Sequence, residues 1–186
     1  MSAAKFTVFS RVLHWLMAAL ILTMLFIGVG MVTSVSWRYH FLVSVHKPLG
    51  VLILILAAIR LINRLFNPPP PLPAHMSALL KFVAHASHVV LYALMFALPL
   101  VGWAMLSAAP YPIVLYGALH LPPILPRDAA LYAELRRLHT ILALLFFATF
   151  LAHLGAALMH ALIFRDGVFE SMAPWKSRLR RPSAAE

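Results

Sequence analysis

The clearest sign of the fold lies in residues 137–165, which read RLHTILALLFFATFLAHLGAALMHALIFR. Between its terminal arginines this segment carries no charged side chain, and an apolar run longer than about 18 residues predicts a transmembrane helix. His139 and His153 lie fourteen residues apart in it, close to four helical turns, so both side chains point the same way. They are therefore about 21 Å apart along the axis, near opposite faces of a hydrocarbon core about 30 Å thick.

The composition of the whole chain also indicates a membrane protein. Of its 186 residues, 63% are hydrophobic and only 11% are charged, which is more apolar surface than a soluble domain of this length can bury. The absence of cysteine excludes disulfides, iron–sulfur clusters, thiolate zinc sites and covalently attached c-type haem. The net charge of +10 is interpreted as a sign of membrane topology and lipid contact, and not of nucleic-acid binding.

Three further apolar segments predict membrane spans. No charged residue lies between Arg11 and Arg38, and a second uncharged run follows Lys81 until a series of prolines begins. A third segment is shorter, but the basic side chains that flank it can extend to the membrane surface. We therefore predict an all-α fold, an integral membrane four-helix bundle, with helices at about 8–35, 41–65, 80–107 and 134–164. They form one transmembrane domain, residues 1–175, followed by a basic cytoplasmic tail, residues 176–186.

The distribution of Lys and Arg predicts the orientation of this bundle. With four spans, the side that holds both termini carries ten Lys and Arg residues, and the opposite side carries five. By the positive-inside rule, both termini lie in the cytoplasm. The Pro-rich loop at residues 108–127 is apolar, so we expect it to pack back over the outer end of the bundle.

Four histidines form two candidate pairs across the bundle. His46, near the outer start of the second helix, lies at the depth of His139. His14, near the cytoplasmic start of the first helix, lies on the side of His153. Two such pairs, one in each leaflet, are what two haems require when each iron takes two imidazoles on opposite faces. Because both axial positions are then filled, the expected chemistry is outer-sphere electron transfer.

The remaining histidines leave alternatives open. A single histidine near a helix end is more often a polar contact than a ligand, and His40, His75 and His120 are interpreted in that way. His85 and His88 are three residues apart and can form a metal-binding pair, although no carboxylate lies nearby in the sequence. On that interpretation the chain is a zinc or copper transporter without haem.

A set of short motifs follows the order of the predicted helices. They are His14-Trp15, Val45-His46 with Gly50, Ala84-His85 with His88 and Tyr92, Leu98-Pro99-Leu100-Val101-Gly102, and Arg137-Leu138-His139 followed by His153 and His160. With these motifs the chain, from Phe9 to about Trp175, resembles the bacterial cytochrome b561 family. Members of that family are small four-helix cytochromes of the inner membrane that hold two haems b and are linked to quinone.

The resemblance implies particular roles for the four paired histidines and a particular reaction. It implies His14 and His153 as ligands of the cytoplasmic-side haem iron, and His46 and His139 as ligands of the outer one. It also implies a superoxide:ubiquinone oxidoreductase. Such an enzyme oxidises superoxide to dioxygen at the periplasmic side and passes the electrons to ubiquinone near the cytoplasmic side.

Other residues are candidates for binding these two substrates. Lys47, Arg136 and Arg137 adjoin the outer histidines, and a basic funnel there would concentrate the superoxide anion, although they can equally be membrane anchors or propionate partners. His88 and His160 are candidates for the quinone side, as hydrogen-bond donors or proton carriers. Equally, they can be simple polar contacts, or one of them can replace an assigned haem ligand.

A second function remains open beside superoxide oxidation. The chain can be a haem-b electron-transfer or anchor subunit that links a dehydrogenase or a periplasmic redox protein to the quinone pool. A redox partner protein would then dock on the Pro-rich outer loop. The two functions share the haems, the quinone and the bilayer, and differ in the electron donor.

Overall fold

The computed structural model describes residues 5–74, 76–111, 113–117 and 119–173, and long helices dominate these ranges. Each of the long helices is apolar enough to cross a membrane, which confirms the prediction of an all-α membrane bundle. Their bounds are α1 Val8–Thr33, α2 Trp37–Phe66, α3 Ala78–Ala108 and α4 Ala129–Met159. The predicted basic tail, residues 176–186, and His75 lie outside the described residues.

Four shorter elements complete the described part of the chain. An antiparallel hairpin, β1 Val114–Tyr116 and β2 Leu119–His120, lies between α3 and α4. After α4 the chain continues as a π-helical turn, His160–Phe164, and then forms the short helix α5, Val168–Met172. The chain reverses direction between them because Arg165 and Gly167 both adopt positive φ angles, 49° and 85°.

Polar caps decide where the long helices begin. The side chains of Thr7, Ser36, Ser77 and Asp128 each accept a hydrogen bond from a backbone N–H of the first turn. As a result α2 begins at Trp37 and not near residue 41, and α4 begins at Ala129 and not near residue 134. The predicted starts of α2 and α4 were wrong because they were placed at the ends of the uncharged segments. A helix extends beyond the apolar core to its nearest capping residue.

Contacts between side chains show that the helices run alternately up and down. Asn63, near the end of α2, donates a hydrogen bond from Nδ2 to Oγ of Ser10, near the start of α1, at 2.7 Å. The helices α1 and α2 pack closely along each other, as do α3 and α4. Contacts between α2 and α3 join these two pairs of helices. We call the two ends of the bundle the His14 end and the His46 end.

The buried core forms a layer across the middle of the bundle. It is built by apolar side chains from all four long helices, namely Leu13, Met17, Ile21, Ile53, Ala57, Leu94, Met95 and Phe146. Phe146 is the one residue of α4 that is buried, and it lies seven residues, two turns, from both His139 and His153. The layer therefore separates the level of one histidine from the level of the other.

Both ends of the bundle are covered by chain segments that fold back. At the His46 end, the indole of Trp103 donates to the carbonyl of Pro122 at 2.9 Å, and Ile124 N–H donates to Oγ of Ser107 at 3.1 Å. The Pro-rich loop therefore packs over the bundle, as expected. At the His14 end, the guanidinium of Arg11 donates to the carbonyl of Ala173 at 3.0 Å, which ties the segment after α5 to α1.

The hydrogen bond between Asn63 and Ser10 is expected to stabilise the α1–α2 pair. We expect Ser10→Ala and Asn63→Leu to lower the free energy of unfolding, with a coupling of about 0.5–1.5 kcal/mol in the double-mutant cycle, as is usual for hydrogen bonds between membrane helices. Unfolding of the purified protein in mixed micelles measures it. Ser87→Ala is the control, because the Ser87 hydroxyl donates to the Ala84 carbonyl of its own helix. If the coupling energy between Ser10 and Asn63 is as small as that between Ser87 and Asn63, the prediction is contradicted.

Candidate functional site

At the His46 end, two imidazoles face each other across the bundle. The ring centroids of His46 on α2 and His139 on α4 are 6.2 Å apart, and the ring planes are inclined at 65°. His46 keeps its Nδ1 atom buried and without a hydrogen-bond partner among the described residues. The ring of His139 interacts with the Leu98 carbonyl, but its Nδ1 does not reach the geometry of a full hydrogen bond.

At the His14 end, three imidazoles meet. The ring centroids of His14 on α1 and His153 on α4 are 6.4 Å apart, with an interplanar angle of 78°. The ring of His88, on α3, lies closer to His153, at 5.2 Å. Nδ1 of His88 shares a hydrogen bond of 2.7 Å with the carbonyl of Ala84 in its own helix.

These distances distinguish a pair that can share an iron from one that cannot. Two imidazoles that bind one iron from opposite sides at about 2.0 Å have ring centroids about 6.3 Å apart. The pairs His46–His139 and His14–His153 both have this spacing. The 5.2 Å between His88 and His153 is too short for it. His88 therefore lies beside the His14–His153 pair as a third, additional imidazole.

Glycines on two neighbouring helices lie at the level of the His46–His139 pair. A Cβ atom added to Gly102 on α3 would lie 3.4 Å from Cε1 of His139, so the glycine lets α3 approach the imidazole. A Cβ atom added to Gly28 on α1 would meet no other atom within 4 Å. A donor set of paired imidazoles, a buried unpartnered nitrogen and open space at a helix face together fit a haem.

A compact metal cluster does not occur in the described ranges of the chain. No three His, Asp or Glu side chains gather there in a group that can hold one metal ion. His85 is exposed and shares a hydrogen bond of 2.7 Å from Nδ1 with the carbonyl of Lys81. The donor set is therefore one of paired imidazoles, which suits a porphyrin iron better than a transported zinc ion.

His160 has a carboxylate partner that the sequence reasoning missed. Nδ1 of His160, in the π-helical turn, lies 2.7 Å from Oδ2 of Asp166, and both side chains are largely buried. The other oxygen, Oδ1, accepts a hydrogen bond from the N–H of Val168. His160 thus has an acid as its partner and not a second imidazole. An acidic residue six positions after a membrane histidine was the available signal.

The three predicted steering cations lie at the His46 end of the bundle. Lys47 is half-buried and directly follows His46, while Arg136 and Arg137 are exposed in α4 just before His139. Within the described part of the chain none of them forms a salt bridge. No carboxylate of the described residues therefore pairs with their charges.

Arg60, which the sequence analysis did not single out, lies at the His14 end. Its Nε donates a hydrogen bond of 3.0 Å to the hydroxyl of Tyr92 on α3, and its guanidinium interacts electrostatically with His14, His88 and His153. The signal for it was spacing, because Arg60 follows His46 by fourteen residues, as His153 follows His139. Residues fourteen apart share one face of a helix, so His46 and Arg60 lie on the same face of α2, as His139 and His153 do on α4.

Residues 5–175 match a protein-family model described as prokaryotic cytochrome b561. The chain is 33% identical over 172 residues to cytochrome b561 homolog 2 of Escherichia coli (strain K12), covering 90% of each chain. It is 30% identical over 132 residues to the probable superoxide oxidase CybB of Yersinia pestis, covering 71% of this chain and 74% of that one. Cytochrome b561 homolog 1 of Escherichia coli is 27% identical over 175 residues, 87% of this chain and 93% of the relative.

The ring distances predict which histidines hold haem at the His14 end. We expect His14→Ala and His153→Ala each to lower the amount of haem per purified chain, because each removes one of two axial ligands. We expect His88→Ala to leave the haem content unchanged, because His88 lies too close to His153 to share an iron with it. Haem extraction and absorption spectroscopy measure this. Loss of haem in His88→Ala with retention in His14→Ala would reverse the assignment.

Proposed function

Since the chain belongs to the prokaryotic cytochrome b561 family, whose members bind haem b and transfer electrons in membranes, we propose that it is a two-haem superoxide:ubiquinone oxidoreductase. The chain is a multi-pass membrane cytochrome. The single observation that supports two haems in it is the arrangement of four imidazoles in two pairs with the spacing of bis-imidazole iron, on opposite sides of an apolar layer. Each pair holds one haem.

The paired histidines determine how electrons enter and leave. When bound, haem supplies one-electron redox chemistry through its iron. His46 and His139 would hold one haem, and His14 and His153 would hold the other. With two histidines committed to each haem, the chemistry that the haems would supply is outer-sphere electron transfer, without direct binding of substrate to the metal. Phe146 and the apolar core around it lie between the two pairs on α4.

The assignment of the outer ligands has a direct test. We expect His46→Ala and His139→Ala each to reduce the haem content from two per chain to one, because each leaves one iron with a single imidazole. Haem extraction with a protein assay measures the ratio, and the spectrum of the remaining haem should match that of the His14–His153 pair. A wild-type content of one haem per chain, or loss of the same haem as in His153→Ala, would contradict the assignment.

The charges at the His46 end support superoxide as the electron donor. Superoxide is a small anion, and unpaired cations at the entrance of a site raise both its local concentration and its rate of encounter. Lys47, Arg136 and Arg137 supply such cations beside His46 and His139. The relative from Yersinia pestis carries the name of a probable superoxide oxidase. Two superoxide ions each give up one electron and leave as dioxygen.

The polar groups at the His14 end support ubiquinone as the acceptor. Reduction of ubiquinone to ubiquinol takes up those two electrons and two protons, so a site for it needs hydrogen-bond donors and a proton supply. Nδ1–H of His88 donates to the carbonyl of Ala84, so Nε2 of the neutral ring can accept a proton or a hydrogen bond from a quinol hydroxyl. The His160–Asp166 pair is a second candidate, because an imidazole hydrogen-bonded to a carboxylate at 2.7 Å can relay a proton.

The charge distribution supports an orientation in the bacterial inner membrane. The side with both termini carries ten of the fifteen Lys and Arg residues, and by the positive-inside rule this excess favours a cytoplasmic location for it. The His46 end then faces the periplasm, where it meets superoxide on the outer side of the inner membrane. The His14 end faces the cytoplasm, where protons for quinone reduction are taken up.

The function is tested by stopped-flow absorption on the purified, oxidised protein. We expect superoxide to reduce the haems rapidly, and a short-chain ubiquinone to reoxidise them with one quinol formed for every two superoxide ions consumed. Arg137→Glu and added salt should each slow the reduction by about tenfold or more, because steering by surface charge is screened. Lys81→Glu is the matched control: it makes the same change of charge at the opposite end and should leave the rate unchanged.

Two results would contradict this proposal. If Arg137→Glu and Lys81→Glu slow the reaction equally, the cations at the His46 end do not steer the substrate. If superoxide does not reduce a protein that contains both haems, the donor is a partner protein. The Pro-rich loop, whose Tyr111 and Tyr116 are exposed, is then the surface for that partner, and the chain is an electron-transfer subunit.

A further inference from the structure

Arg60, a half-buried cation at the His14 end, has no carboxylate of the described residues in a salt bridge with it. Arg60 uses Nε to bond Tyr92, but its Nη1 atom is buried and has no partner among the described residues. Asp166 and Glu170 are the carboxylates described at this end, and neither forms a salt bridge with Arg60. A guanidinium stays charged in a protein, and a buried charge is stable only when it is paired. The site therefore requires an anion.

Helix geometry determines the position of this cation. Arg60 follows His46 by fourteen residues, the spacing that also separates the two histidines of α4, so it lies on the bundle-facing side of α2 at the other histidine level. Its guanidinium interacts electrostatically with His14, His88 and His153. The imidazoles cannot neutralise it, because they are ligands or hydrogen-bonding groups without negative charge.

We propose that Arg60, positioned by Tyr92, binds a propionate carboxylate of the haem held by the His14–His153 pair. The inference rests on the proposed function, because it needs haem at that pair. A planar guanidinium donates paired hydrogen bonds to a carboxylate, and the bond from Nε to Tyr92 leaves both Nη groups for this purpose. Arg64, whose guanidinium lies 5.9 Å from the centre of the Tyr92 ring, adds a second positive charge at the same place.

A redox titration of the holoprotein together with resonance Raman spectroscopy tests the inference. We expect Arg60→Gln to shift the propionate bending band. We also expect it to lower the equilibrium constant for reduction of this haem about tenfold, equal to about 59 mV for a one-electron couple. The haem at the His46–His139 pair should be unaffected. Lys81→Gln is the control, since it removes the same charge at the same end but outside the site.

A second variant separates the charge of Arg60 from its hydrogen bonds. Arg60→Lys keeps the positive charge but loses the planar donor geometry. We expect it to keep a potential near that of the wild type and still to shift the propionate band. If Arg60→Gln loses the haem of this pair, retention of that haem in Arg60→Lys supports the inference, and loss in both variants overturns it in favour of a purely structural role.

The outcomes distinguish this inference from the proposed function. A propionate band that is unchanged in both Arg60 variants, with haem still at the His14–His153 pair, overturns the inference and leaves the proposed function intact. The anion beside Arg60 is then of another kind, such as a lipid phosphate. If His153→Ala removes no haem from the wild-type protein, the proposed function fails first, and the inference fails with it.

Discussion

The rise of the α-helix is the constraint on which this bundle depends. Residues fourteen apart lie on one face of a helix, about 21 Å apart along its axis. Each long helix uses this spacing once and so places one residue at each of two levels. The pairs are His14 and Gly28 on α1, His46 and Arg60 on α2, His88 and Gly102 on α3, and His139 and His153 on α4. The four-turn repeat, and not any single residue, organises the interior.

The same arrangement makes the two levels chemically different. At the His46 level α1 and α3 contribute Gly28 and Gly102, so no other polar side chain comes from these two positions. At the His14 level α2 and α3 contribute Arg60 and His88, so the surroundings are polar and positively charged. The proposed electron donor is an anion that needs only to approach, and the proposed acceptor needs hydrogen bonds and protons. The glycines at the His46 level suit the approach of an anion, and Arg60 and His88 at the His14 level suit a substrate that needs polar groups.

The membrane spans and the histidine pairing could be predicted from the sequence because both follow from local periodicity. Hydropathy locates the apolar segments, and the helical repeat shows which histidines share a face. Helix starts were predicted less well, since Ser36 and Asp128 extend α2 and α4 beyond their uncharged segments. The pairing of His160 with Asp166 was missed for a different reason. A π-helical turn and a reversal lie between them, and neither follows from a pattern with a period of 3.6 residues.

The contact between Arg60 and Tyr92 depends on tertiary packing, which a sequence pattern alone does not reveal. The fourteen-residue interval locates Arg60, but the absence of a described carboxylate beside it depends on where Asp166 and Glu170 pack in three dimensions. Of the five acidic residues in the chain, the four in the described ranges lie close to the ends of the bundle, two at each end. A positive interior results from that distribution, and it suits a cofactor that carries its own negative charge.

The apolar layer around Phe146 has an electrical consequence. In the proposed orientation, each electron that moves from one histidine pair to the other carries negative charge inward through an insulating part of the bilayer. A full crossing against a membrane potential of about 100 mV, negative inside, costs about 2.3 kcal/mol. The step is therefore electrogenic, and the charge that it moves adds to the potential that opposes the next electron. Oxidation at one surface is coupled by this layer to the energised state of the whole membrane.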